Sequence, residues 1–295
     1  MSNVIECNNL THYYGRKLVY ENLNIHVREG SILGLLGKNG TGKTTTINIL
    51  NGFLQPRSGE CLIYGENSQH LSPETKARIG FLIEGHIQYS FMNIHQIEKF
   101  YSGFYPNWKP APYWELMSKL KVAPNQKISA MSCGQRSQVA LGLILAQDPD
   151  LLILDDFSMG LDPGYRRLFI DYLREYARAE NKTIFTTSHI IQDMERLIDD
   201  VLIMDYNRVL AQCPVNEFMS TFKQFVFESE TDMSGLKNEK FIVNLEKVKN
   251  KIELYTYEPE GFIRNFLDGK DVAHKNFTQV QMGLEDAFIG LTGKY

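Results

Sequence analysis

The run Gly37-Lys38-Asn39-Gly40-Thr41-Gly42-Lys43-Thr44 sets three glycines, a lysine and a hydroxyl at a spacing suited to holding a chain of phosphates. Gly37, Gly40 and Gly42 let the backbone curl until successive N–H groups point inward at an anion. Lys43 would then reach the β- and γ-phosphates, and the Thr44 hydroxyl would ligate Mg²⁺. Lys38, Asn39, Thr41 and Thr45 complete the candidate contacts. The bland alternative is a glycine-rich turn with no ligand. Context decides against it: an apolar strand-like run, residues 32–36, precedes the loop, and a helix-compatible run, 44–50, follows and adds its positive end.

Other chemistry-bearing groups lie further along. Residues 151–156, LLILDD, form an apolar strand ending in Asp155 and Asp156. After an upstream phosphate loop, Asp155 would hold the Mg²⁺ hydration shell and Asp156 would polarise an attacking water. Alone, two acids after a strand make a solvated turn; the loop upstream tips the reading. His189 closes the strand-like run 183–188, at the sheet edge where ligands of open α/β sheets collect, within reach of a γ-phosphate. In MSCGQRSQ, residues 131–138, Ser132 and Gln135 have the spacing of a capping box that opens a helix over 137–146.

These groups need a scaffold. Residues 1–215 read as strands alternating with helices, which calls for a mainly parallel sheet with helices packed on it and an antiparallel β edge. The runs 32–36, 151–154, 183–187 and 201–204 are apolar throughout, as strands buried on both faces must be. An inserted helical region, about 85–150, begins with an aromatic-rich stretch (Tyr89, Phe91, Phe100, Tyr101, Phe104, Tyr105, Trp108, Trp114), most of which is expected to form its own core. Residues 216–295 read as a small α+β domain: strands near 225–227, 241–245 and 252–257, then two helices.

Composition narrows the class. The chain has 295 residues, 43% hydrophobic and 22% charged, with net charge −4. No global positive field favours nucleic acid or an anionic membrane. The four cysteines are scattered, as free thiols in a reducing compartment would be. Neither a signal-peptide pattern nor an apolar run near 20 residues is visible, so a cytoplasmic protein is expected.

With those motifs in order, residues 1–215 resemble the ATP-binding-cassette (ABC) family. MSCGQ is similar to that family's Leu-Ser-Gly-Gly-Gln signature, Tyr14 matches the aromatic that stacks on adenine, 159–162 (Met-Gly-Leu-Asp) looks like the loop linking two sites of a dimer, and His189 matches the switch histidine. The resemblance implies a P-loop ATPase in which two cassettes, identical or paralogous, dimerise head to tail around two MgATP. Ser132, Gly134 and Gln135 of one subunit would face the P-loop of the other. It also implies a membrane permease in a separate chain.

Three positions depart from the family pattern. Glu84 stands where a glutamine usually touches Mg²⁺ and the attacking water, Cys133 replaces a signature glycine, and Asp156 replaces the usual glutamate. A carboxylate at 84 still suits Mg²⁺. Asp156 draws its carboxylate back by one C–C bond, so hydrolysis is expected to be slow with ATP binding intact. FYSGFYPNW and GLEDAFIGLTGK resemble segments of bacterial ABC-2 exporter ATPases. The alternatives are a binding-dominated switch and a non-transport ABC ATPase. The second lacks support, since tandem cassettes, coiled-coil insertions, zinc-type cysteines and a basic surface are all missing.

Overall fold

Ile32–Gly37 carries apolar side chains on both faces and is buried along nearly its whole length, which makes it a central strand. The computed structural model describes residues 2–82, 89–120, 122–123, 125–158, 160–233 and 235–293. In chain order its first elements are β1 (Asn3–Tyr14), β2 (Lys17–Arg28), β3 (Ile32–Gly37), α1 (Lys43–Leu50), β4 (Ser58–Ile63), β5 (Glu66–Asn67), α2 (Pro73–Ala77) and β6 (Ile79–Leu82). Then follow α3 (Ile94–Ser102), α4 (Pro110–Lys119), α5 (Cys133–Ala146), β7 (Leu151–Asp155), α6 (Pro163–Ala179), β8 (Thr183–Thr187), α7 (Ile191–Leu197), β9 (Asp200–Asp205) and β10 (Arg208–Pro214).

The principal sheet has strand order β10-β9-β3-β8-β7-β6, and β9 through β6 run parallel. Its register aligns Leu35, Thr187 and Asp155 in one row. The loops after β3, β7 and β8 therefore leave the same edge side by side. Burying a Leu, Ile or Phe side chain contributes about 1.5–3 kcal/mol, and Leu35, Leu152, Ile153, Phe185 and Leu202 are all fully buried here.

Strand–helix alternation begins only at β3. Before it, β1 and β2 form a long antiparallel hairpin through Gly15-Arg16, extended by β4 and β5 into a second sheet. Two helices also begin earlier than their apolar runs indicate. α1 starts at Lys43, and α5 starts at Cys133, because the Ser132 hydroxyl accepts from the Gln135 amide and the Gln135 side chain accepts from the Ser132 amide.

The aromatic-rich helices correct the expectation of a self-contained aromatic core. None of the eight aromatics named above is fully buried. The interior is instead built from Ile94, Ile97, Tyr113, Leu116 and Met117. The Tyr113 hydroxyl donates to the Ile94 carbonyl, and buried Gln138 donates to that of Leu116. Phe91 and Phe104 stay 63% and 68% exposed, and Phe100 packs against Tyr89, Tyr101 and Phe104.

The chain divides into two compact units, Met1–Val209 and Leu210–Tyr295. The second comprises α8 (Val215–Thr221), β11 (Lys223–Glu228), β12 (Ile242–Val248), β13 (Lys251–Thr256), α9 (Glu260–Gly269), β14 (Lys275–Val280) and α10 (Leu284–Thr292). Its sheet runs β12-β13-β11-β14 over a core of Phe225, Phe227, Leu254, Ile263 and Leu267. The two C-terminal helices are not consecutive, since β14 lies between them. Its sequence, KNFTQV, gives little sign of a strand because five of its six residues are exposed and only Phe277 turns toward the core.

Candidate nucleotide site

The loop between β3 and α1 is shaped by contacts that only glycine permits. A Cβ on Gly37 would lie 2.5 Å from Thr41 Oγ1, and one on Gly42 (φ +103°) would strike Val19 and the Tyr20 ring at 2.7–2.9 Å. The Thr41 hydroxyl ties the loop by donating to the Lys38 carbonyl at 2.9 Å. Gly42 then caps α1 without a side-chain hydrogen bond, so no side-chain cap pairs its first-turn amides. Lys38, Thr41, Lys43 and Thr45 are buried, whereas Asn39, Gly40 and Thr44 are exposed.

Lys43 lies along the loop, its ammonium donating to the carbonyls of Gly37 at 2.7 Å and Lys38 at 3.1 Å. Burial pushes its pKa down, and the charges of Asp156 and Asp155 oppose that shift. The same field acts on Asp155 in reverse. Burial pushes its carboxyl up and Asp156 adds to this, while the Thr187 hydroxyl, His189 and Lys43 pull it back. One lysine and two carboxylates, far apart in the chain, thus share an electrostatic environment.

Asp155 accepts from Thr187 Oγ1 at 2.5 Å, a pairing fixed by their register across β7 and β8. Asp156 has a left-handed backbone, φ +45°, its amide pointing at the Thr187 carbonyl. Its carboxylate is gripped twice by His189: Oδ1 accepts from the backbone amide at 2.9 Å and Oδ2 lies 2.8 Å from Nε2. Non-glycine residues in that backbone region persist only where the surroundings hold them, often at functional sites.

At the end of β1, Tyr14 is 52% exposed, with its hydroxyl 3.4 Å from Thr45 Oγ1. Ser132 is exposed at the start of α5. Among the described residues, its side-chain hydrogen bonds and those of Gln135 are to each other. Gly134 packs against Leu161 and the Gly160 carbonyl, and Gly160 against Cys133. Asp162 serves its own helix, accepting from the amides of Gly164 and Tyr165 to cap α6. Glu84 and Met159 lie outside the described residues.

Residues 20–158 match the ABC transporter family. The chain is 30% identical over 224 residues to a Nod factor export ATP-binding protein I of Ralstonia nicotianae, covering 74% of this chain and 69% of that one. The chain belongs to the ABC transporter family. It is also 29% identical over 310 residues to the bacitracin transport ATP-binding protein BcrA of Bacillus licheniformis, covering 99% of this chain and 98% of BcrA. A solved structure of the ATP-binding subunit of an ABC transporter shares its fold, with a TM-score of 0.65 at 23% identity over 74% of this chain and 92% of that one.

As an ABC subunit, the chain is an ATP-binding protein and an Mg²⁺-dependent ATPase. The residues present fit that ligand. A loop in which Gly37 and Gly42 leave no room for a Cβ, a buried ammonium beside it, and the hard oxygen donors Thr44 and Asp155 suit a magnesium-bound triphosphate. Two groups at this site were not singled out from sequence. Thr187 holds Asp155, and the TTSH run at the strand end was its only signal. His12 lies against Tyr14 with nothing in the sequence to separate it from a core residue. Among the described residues, no helix is long and apolar enough to cross a membrane.

Proposed function

We propose that this chain energises a separate membrane permease exporting a drug, peptide or lipid-like substrate, held through that permease at the inner face of the membrane. Likeness to the bacitracin transport ATP-binding protein over 99% of the chain carries this reading, because it includes the second unit as well as the cassette. The exposed rings of Phe91 and Phe104 support it, as a surface for permease helices.

At the nucleotide, Tyr14 stacks on adenine and the amides from Gly37 to Gly42, with Lys43, hold the phosphates. Lys38, Asn39, Thr41 and Thr45 line the same cradle. Thr44, Asp155 and Glu84 hold Mg²⁺, which when bound neutralises phosphate charge. Asp156 polarises the attacking water, while His189 fixes that carboxylate and faces the γ-phosphate. Ser132, Gly134 and Gln135 act across a dimer, where the Ser132 hydroxyl and the start of α5 clamp the phosphates of the partner's nucleotide.

The double grip of His189 on a shortened carboxylate favours slow turnover, so a binding-dominated switch is the second reading. Affinity purification in mild detergent, followed by ATPase assays with and without the recovered membrane partner, separates the two. Stimulation by a co-purified permease supports energised export. A captured permease whose presence leaves turnover unchanged supports the switch. Recovery without any membrane protein counts against both.

A further inference from the structure

His12 is 7% exposed, and neither ring nitrogen has a hydrogen-bond partner. A buried polar ring without a hydrogen-bond partner costs stability. Burial pushes its pKa down, disfavouring the charged imidazolium. Its defined contact is with Tyr14, two residues on along β1: the ring centroids are 5.0 Å apart at 79°, an edge-to-face arrangement. The β1–β2 register shifts between His12 and Tyr13, where β2 carries an extra residue, Val19. The Tyr14 hydroxyl sits 3.4 Å from Thr45 Oγ1.

From this geometry we infer that His12 is a positioning residue for the base platform. Its ring braces Tyr14 from one side, Thr45 holds the hydroxyl, and an exposed aromatic at a strand end is thereby kept in one orientation for a purine. The inference rests on the reading of Tyr14 as the adenine-stacking residue. What His12 contributes is the aromatic ring and not its nitrogens.

Calorimetric ATP titration of the full chain with Mg²⁺, alongside thermal unfolding, tests this on His12→Phe, His12→Leu, Tyr14→Ala and the His12→Leu/Tyr14→Ala pair. Both His12 variants should melt about 2–4 °C above wild type, because the orphaned nitrogens are gone. His12→Leu should weaken ATP binding about two- to tenfold, the range of an aromatic pair, and raise KM with little change in kcat. His12→Phe should restore wild-type affinity, and in the Tyr14→Ala background the leucine should add nothing. Wild-type affinity in His12→Leu, an equal loss in His12→Phe, or an undiminished loss without Tyr14 would overturn the bracing role. If Tyr14→Ala itself binds ATP normally, the platform reading fails and the brace falls with it.

Discussion

The carboxylate of Asp156 is clasped by His189 through two bonds, ring Nε2 to Oδ2 at 2.8 Å and backbone amide to Oδ1 at 2.9 Å. The bonds run between the ends of neighbouring parallel strands. If the short side chain limits turnover by misplacing the carboxylate about 1 Å, Asp156→Glu should raise kcat, by up to about 10²-fold, with ATP affinity unchanged. Asp156→Asn should lose hydrolysis while still binding. Steady-state ATPase assays decide, and a glutamate variant no faster than wild type would show that reach is not the limit.

Removing the ring alone leaves the backbone clasp. His189→Ala should lower kcat about 10- to 100-fold and leave nucleotide affinity near wild type. Because the two groups act as a unit, adding Asp156→Asn should cost no more than Asp156→Asn alone. Additive losses would separate their roles.

The Lys43 ammonium, which donates to two loop carbonyls, is proposed above to hold the phosphates. Wild-type protein should therefore melt higher with excess MgATP, by mass action, and Lys43→Ala should show no such shift while folding normally without nucleotide. A retained shift in the variant would place the affinity elsewhere.

The pH dependence of stability has a defined sign at His12. Its folded-state pKa is depressed below the ordinary 6.5 by burial. The unfolded chain takes up that proton first, so His12 draws nothing from stability by titration above pH 6.5 and lowers it progressively as the pH falls toward the folded value. Melting temperatures measured from pH 7.5 down to about pH 5 should fall less steeply in His12→Phe than in wild type. Parallel curves would remove His12 from the acid-sensitive set.

In the second unit, Gly290 lies within α10, and a Cβ there would lie 2.2 Å from the Tyr255 ring. Tyr255 is stacked on Phe222 and has little freedom to retreat. Gly290→Val should destabilise this unit by about 1–3 kcal/mol through overpacking, read by urea unfolding. An unchanged midpoint would mean that the ring moves easily.

Much of the local structure was legible in the one-dimensional chain because it depends on residue types at short, fixed spacing. Glycines, lysine and threonine in residues 37–44 must be neighbours to curl one loop, and Ser132 with Gln135 must be three apart to cap one helix. The buried strands were equally plain, since a strand covered on both faces must be apolar throughout. β14 was not, because an exposed edge strand places no such demand on its residues. Nor did the aromatic-rich stretch reveal that its rings would stay at the surface, since burial is decided by what packs opposite.

Distance between remote groups was decided only by the tertiary structure. Asp155 meets Thr187, and Asp156 meets His189, because β7 and β8 pair in parallel in one particular register. A slip of one residue would turn each side chain to the other face. His12 shows the same limit, since a histidine in a half-buried strand looks alike whether it fills a core or braces a ring. Local chemistry is written in spacing, whereas convergence depends on register and packing, which no short segment encodes.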